Sequence, residues 1–256
     1  MRLKLTIAYD GRPFAGWATQ PNGNTIQDLI ETAIVAVGKS SEVRIHGSGR
    51  TDAGVHAAGQ IAHFDAPDGL QMNPYNWVPA LNTKLPATVR ILDCQEVAED
   101  FHARFSARAK TYTYDLCLSP VLPPLLAGLA WHLPRQLDPE TLAAALQLYL
   151  GEHNFQAFSA KRGNETEETD YSRTITESSL TTTDTGYRIT FQGNGFLYKM
   201  VRILTGTAVQ AAQGRMRLDE VSALLDQADG LPHGRSRHCA PADGLVLSQV
   251  EYPPTK

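Results

Sequence analysis

The feature that most restricts the fold of this 256-residue chain is an order of hydrophobic periods that occurs twice. At the N-terminus Leu3, Leu5, Ile7 and Tyr9 alternate with Arg2, Lys4, Thr6 and Ala8, the period of a half-buried strand and not the continuous apolar stretch of a signal peptide. Residues 25–37 then place Ile26, Leu29, Ile30, Ala33, Ile34 and Val37 at helical spacing, with Thr25 and Asp28 as a start signal and Gly38 as a stop. Short apolar runs at 43–46 and 60–64 enclose a glycine-rich loop. A weaker helical pattern at 73–82 and a strand at 89–96 follow. The order is β-α-β-β-α-β.

The second half opens at 111–118, where Tyr112, Tyr114, Leu116 and Leu118 share one face. Asp138-Pro139-Glu140 is a strong helix start, because Asp caps, Pro is pre-set for the first turn and Glu favours the dipole. That helix carries Leu142, Ala145, Leu146 and Tyr149 and stops at Gly151. Strands at 174–182 and 187–192 flank an Asp-Thr-Gly turn, and Gly193-Asn194-Gly195 leads into a helix over 196–212. A capped helix at 219–228 and a strand at 245–252 complete the same order with one helix added. The polar run 160–169 reads as a mobile loop. The expected fold is α+β: two ferredoxin-like (RRM-like) subdomains, 1–104 and 105–256, with joined, mainly antiparallel sheets and a cleft between them. The same unit underlies modules that hold single-stranded RNA on an open sheet face.

Composition removes several classes. With 23 Lys plus Arg against 27 Asp plus Glu the formal charge is −4, which rules out a wholesale cationic tail or a generally basic nucleic-acid coat. The cations are nevertheless segregated: Arg104, Arg108 and Lys110 lie in an acid-free stretch, 101–114, and Arg188, Lys199, Arg202, Arg215 and Arg217 in another, 186–218. A basic groove on an otherwise acidic body is the expectation, with nucleic-acid affinity that falls with salt. Cys94, Cys117 and Cys239 form no CxxC pair and no zinc-like spacing, which fits a reducing cytosol and implies no metal. The most apolar stretch, 121–134, is cut by Pro123 and Pro124 and carries His132, so no membrane span is expected.

The chemistry concentrates in the loop 47–60, GSGRTDAGVHAAGQ, with four glycines in its first thirteen residues. So many glycines signal unusual backbone angles or the close approach of another group. An aspartate in such a loop, here Asp52, has an ordinary use as a turn cap. Its other use is as a carboxylate kept ionised by the nearby Arg50 and exposed by small neighbours, which is what a nucleophilic carboxylate requires.

With these residues the chain resembles the TruA family of tRNA pseudouridine synthases. The matching strings are YDGRPFAGWATQPN at 9–22, GRTDAGVHAAGQIAHF at 49–64, FHARFSARAKTYTY at 101–114, GNGFLYKMVR at 193–202 and APADGLVL at 240–247. The resemblance implies isomerisation of uridine to pseudouridine at tRNA positions 38, 39 and 40 in the anticodon stem-loop, with Asp52 as nucleophile and no cofactor or metal. It also implies that Arg50 and Arg202 pair with the Asp52 carboxylate and touch phosphate, that Tyr112 stacks on or bonds to the target base, and that Leu245 forms an apolar floor beneath it. More weakly, Arg104 (with His102), Lys110, Lys199 and Asn194 are implied as RNA contacts, Asn194 shaping a turn whose N–H groups can meet a phosphate. Family members act as homodimers in the cytoplasm with tRNA lying across both copies. The alternative is a non-catalytic RNA-binding module of two RRM-like units; a glycosidase would need a second acid near the loop, and none is evident in the sequence.

Overall fold

The N-terminal alternation becomes strand β1 (Arg2–Tyr9), with Leu3, Leu5 and Ile7 fully buried and the residues between them half exposed. The computed structural model describes all residues except 68, 71, 135, 162, 164, 165, 167, 168, 226–230, 232, 255 and 256. The chain divides into two compact units, one made of Met1–Arg108 with the segment from Val246 on, the other of Ala109–Leu245.

In the first unit β1 leads to α1 (Ile26–Gly38), capped by Thr25, whose hydroxyl accepts the Asp28 N–H at 3.3 Å and donates to the Asp28 carboxylate at 2.6 Å. The left-handed residue that ends this helix is Lys39 (φ 50), not Gly38. Gly38 instead admits Pro67, whose ring would stand 2.7 Å from a Cβ at that position. Of the expected second strand at 43–46 only His46 lies in β2 (His46–Gly47), which extends into the glycine-rich loop and pairs with His63 and Ala62. Strand β3 (His56–Asp65) begins earlier than its apolar run, inside the glycine-rich loop. Then come α2 (Pro74–Asn82), capped by the Asn73 side chain, and β4 (Val89–Val97).

The second unit holds β5 (Ala109–Cys117), β6 (Trp131–His132), α3 (Pro139–Gln147), β7 (Gly151–Asn154), β8 (Ser172–Thr183), β9 (Gly186–Gly193), α4 (Met200–Ala212) and α5 (Leu218–Ala223). Asp138 caps α3 as expected, accepting from the Glu140 and Thr141 N–H groups at 3.2 Å each. Gly151 is not a helix stop but the first residue of β7, at φ +99. Helix α4 starts at Met200 and not at 196, because Lys199 takes a left-handed conformation (φ 58) just before it. The expected helix at 219–228 is helical to Ala223, and its last residues lie outside those described; so does part of the 160–169 run. The last strand is β10 (Leu245–Glu251).

In the first unit the strand order is β4-β1-β3, with β2 antiparallel and β10 parallel to β3. In the second, β5-β9-β8-β7 is antiparallel throughout and β6 lies parallel to β5. The fold is therefore mixed α+β with mostly antiparallel pairing and few helices. The first core sets Leu3, Leu5, Ile7 and Phe64 with Ile26, Ile30 and Ile34 of α1 and Trp77 and Leu81 of α2, all buried. Each such aliphatic side chain contributes about 1.5–3 kcal/mol. The edge-on Phe64–Trp77 contact, centroids 5.2 Å apart, adds roughly 1 kcal/mol. The second core gathers Tyr114, Leu142, Leu146, Tyr149, Phe158 and Phe191 beside α4, of whose 13 residues all but Arg202 and Gln210 are buried, which makes α4 a core helix rather than an amphipathic surface one. Among the described residues no helix is long and apolar enough to cross a membrane.

Candidate active site

Asp52 opens a turn that the Val55 N–H closes on the Asp52 carbonyl at 3.1 Å, with Gly54 at φ +79, a conformation that side-chain-bearing residues rarely adopt. The segment that follows β1 grips this turn. The Trp17 N–H donates to the Thr51 carbonyl at 3.1 Å. A Cβ on Gly11 would stand 2.0 Å from the Val55 oxygen, and one on Gly16 (φ +107) 2.8 Å from the Thr51 oxygen. Two glycines of the 9–22 string are thus what lets that string touch the backbone of the Asp52 loop.

Beneath the turn lies a buried polar network that sequence reasoning missed. The Gln60 amide donates to the Gly49 carbonyl at 3.0 Å and to the Tyr9 hydroxyl at 3.4 Å, while its oxygen accepts from the Ser48 hydroxyl at 2.7 Å and the Ile61 N–H at 3.2 Å. All four hydrogen-bonding positions of this amide are filled. Tyr9 thus accepts from Gln60 and shares a second hydrogen bond, 2.8 Å long, with the hydroxyl of Thr51, the residue next to Asp52 in the chain; either oxygen can donate in it. Burial pushes the Tyr9 phenol up to about 12, so it stays neutral. The only sequence sign of this network is that its members, Ser48 excepted, stand in the two strings around Tyr9 and Asp52.

On the other side of the glycine contact, Asp10 receives the Arg12 guanidinium, with Nε 3.0 Å from both carboxylate oxygens and Nη2 2.6 Å from Oδ2. That hydrogen-bonded cation holds the Asp10 carboxyl below its ordinary range. His56 Nδ1 lies 3.2 Å from the Gly11 nitrogen and 3.3 Å from Asp10 Oδ1. One lone pair cannot accept an N–H and carry a proton at once. The backbone N–H takes the Nδ1 lone pair, and the Asp10 oxygen lies beside the same atom.

Of the remaining expected residues, Arg50 and Arg104 are exposed and belong, like Asp52, to the first unit, with Asp52 itself half-buried. The others belong to the second. Tyr112 on β5 is 8% exposed and meets Phe196 edge-on at 5.1 Å. Arg202 exchanges two hydrogen bonds with Ala240: its Nε donates to the Ala240 carbonyl at 2.8 Å, and the Ala240 N–H donates to the Arg202 carbonyl at 2.9 Å. The 240–245 segment is further tied by the Tyr114 hydroxyl to Pro241 at 2.8 Å and by the Asp115 N–H to Gly244 at 3.0 Å, which sets Leu245, 5% exposed, at the start of β10. Lys199 is half-buried, its Nζ 5.3 Å from the Tyr198 ring centre; Lys110 is half-buried opposite Gly193. Asn194 is exposed, but its N–H is not open to a phosphate: it donates to the Thr174 carbonyl at 3.1 Å while its side-chain oxygen accepts the Thr174 N–H at 3.0 Å.

The acid-free stretches are not free of acids in space. Arg188 makes a two-pronged bond to Asp115 on the facing strand at 2.7 and 2.8 Å, and Arg217 a similar one to Asp219 at 2.9 Å. Two of the eight segregated cations are thereby neutralised.

Asp52 thus stands on a glycine-clamped turn whose neighbouring Thr51 is tied to a buried polar network. The family described as tRNA pseudouridine synthase matches residues 5–106 and 145–253, which include Asp52, Arg50, Arg104, Asn194, Lys199, Arg202 and Leu245 but not Lys110 or Tyr112. The tRNA pseudouridine synthase A of Akkermansia muciniphila is 49% identical over 255 residues, 98% of this chain and 95% of its own length. That of Geobacillus sp. is 39% identical over 251 residues (98% of each), and the tRNA pseudouridine synthase A 2 of Clostridium perfringens 40% over 250 residues (98% and 99%). The chain belongs to the tRNA pseudouridine synthase family.

Proposed function

We propose that the chain is an isomerase that converts uridine to pseudouridine at positions 38, 39 and 40 of the tRNA anticodon stem-loop, with Asp52 as nucleophile. The observation that carries this reading is the Asp52 turn, clamped by Gly11 and Gly16 and floored by the Tyr9–Gln60 network, inside a segment matched by the family. The reaction breaks the N1–C1′ bond, forms C5–C1′, removes the proton from C5 and leaves one on N1, so it is redox-neutral and consumes no co-substrate. An ionised Asp52 oxygen begins it, at C6 of the base or at C1′ of the sugar. A uridine stacked in a stem must first be flipped out, at a cost of a few kcal/mol that stacking and phosphate contacts offset.

In this reading Tyr112 and Leu245 bind the uracil, Arg50 and Arg202 bind phosphate and the Asp52 carboxylate, and Arg104, Lys110 and Lys199 contact the RNA backbone, while Asn194, its N–H taken by Thr174, shapes the turn before α4. The antiparallel order β4-β1-β3-β2 in the first unit and β5-β9-β8 in the second support a ferredoxin-like origin for each. A cytoplasmic homodimer acting on tRNA without cofactor completes the proposal, on the strength of the resemblance. The test is to incubate the purified protein with unmodified tRNA transcripts and map pseudouridine by nucleoside digestion and position-resolved sequencing. Pseudouridine at 38–40 is the expected result; a protein that binds the transcripts and leaves every uridine unchanged would instead be a binding module.

A further inference from the structure

The first unit carries a second cluster, of which the proposed function uses only Arg104 and His102, as contacts to the RNA backbone. His46, His63 and His102 lie ring against ring, with centroids 5.1 Å apart for 46 and 63, 4.7 Å for 63 and 102 and 5.7 Å for 46 and 102. His102 is followed outward by Phe105 at 4.4 Å, and the Arg104 guanidinium stands 5.6 Å from the centre of the Phe105 ring. Phe105 is 76% exposed, so its outer face is open to a second ring. Beside the imidazoles a cavity of about 770 Å³ reaches across to the connection between α1 and β2, where Lys39 and Arg44 line it.

The ring nitrogens say what such a place can bind. Ala103 donates its N–H to His63 Nδ1 at 3.1 Å, and Arg104 and Phe105 donate theirs to His102 Nδ1 at 3.1 and 3.3 Å. With both Nδ1 atoms acting as acceptors, each ring carries its proton on Nε2, and neither Nε2 has a hydrogen-bond partner among the described residues. A protonated Nε2 is a donor and not a metal ligand. His63 is 3% exposed, and burial together with the neighbouring His102, His46 and Arg2 pulls its pKa down to about 4, so the ring is a neutral donor at neutral pH. Of the two lining carboxylates, Asp65 is already taken by Arg2 in a two-pronged bond at 2.9 Å, which leaves Lys39 and Arg44 facing Glu42. Arg44 also reaches Glu31, at 3.4 Å.

An exposed ring with a cation on it, N–H donors without acceptors and two flexible cations around a cavity match a nucleotide, which has a flat base and an anionic phosphate. We infer that this cluster is a nucleotide-binding subsite, with one unstacked base on the Phe105–His102 faces and its phosphate in the cavity beside Lys39 and Arg44. It rests on the proposed function in taking RNA as the source; a free nucleotide offers the same chemistry.

Two measurements on the full-length protein separate these sources. Fluorescence anisotropy with an unmodified tRNA transcript at fixed salt is expected to show Phe105→Ala and Lys39→Glu each binding about fivefold or more weakly than wild type, the size of one lost base stack or more. Both residues are exposed, so unchanged melting temperatures confirm that folding is intact. Titration with uridine 5′-monophosphate, followed by NMR at the histidine Cε1 protons, reads the second source. Weakened tRNA binding supports the subsite with RNA as donor of the nucleotide. Monophosphate-induced shifts at His46, His63 and His102 that vanish in Phe105→Ala, with tRNA binding unchanged, support it with a free nucleotide. Unchanged tRNA affinity together with unshifted histidines overturns it. Because both readouts are of binding, a protein that loses tRNA affinity in Phe105→Ala yet forms no pseudouridine would sink the proposed function and not this site.

Discussion

Asp52 is positioned by backbone hydrogen bonds, glycine contacts and one fully bonded glutamine, whereas Arg202 and Lys199 stand at the start of a helix whose side chains are almost all in the core. The first arrangement has little apolar volume to lose but no room for an added atom. The second has ample contact energy and depends on filling its volume. Substitutions that add a methyl group should therefore damage the Asp52 loop, and those that remove methylenes should damage the α4 region.

The largest effect is expected at Gly11. In Gly11→Ala the new carbon would fall 2.0 Å from the Val55 oxygen, so the loop must move. A displacement of about 1 Å lowers a rate by roughly 100-fold, and overpacking costs about 1–3 kcal/mol; single-turnover pseudouridine formation and urea unfolding check the two. A near-wild-type rate in this variant would break the contrast. Leu204→Ala in α4, where the leucine is fully buried, is expected to cost about 2–5 kcal/mol in urea unfolding while leaving the single-turnover rate of the folded fraction much less affected than Gly11→Ala does.

A smaller effect concerns the floor of the loop. The Tyr9 phenol has its pKa raised in the fold, to about 12 from the ordinary 10. The stability this contributes is complete below pH 10 and fades as the pH rises through 12, since only the unfolded chain ionises readily between those values. It amounts to about 3 kcal/mol. Tyr114, Tyr149 and Tyr252 are shifted the same way, so the wild type should lose stability through several groups. Tyr9→Phe should show a shallower alkaline loss than wild type in unfolding curves taken across that range. Equal slopes would mean that the Tyr9 hydroxyl is not sealed beneath Thr51.

Local signals were legible in the sequence and pairings across it were not. Thr25 and Asp138 announce their helices because a cap is a contact between residues three apart or fewer. Strand β7, Gly-Glu-His-Asn, has no alternation to read and exists because Ile175 and its neighbours on β8 offer it a partner. Likewise nothing local to Phe196 or Leu197 reveals that Lys199 will turn left-handed and delay α4. In the site, the glycines around Asp52 point to a close approach without naming the approaching group, which is Gly11 and Gly16 some forty residues earlier. The bonds from Tyr9 to Thr51 and Gln60 and from Arg188 to Asp115 depend on strand register, which no periodicity encodes.

The central claim is that the whole loop exists to present one carboxylate. Its most direct test is tritium release from tRNA labelled at uridine C5, measured for wild type and Asp52→Ala beside tRNA affinity and melting temperature. The account predicts release by the wild type, none by Asp52→Ala, and unimpaired folding and tRNA binding in the variant. Release by Asp52→Ala at a rate near that of the wild type would contradict it.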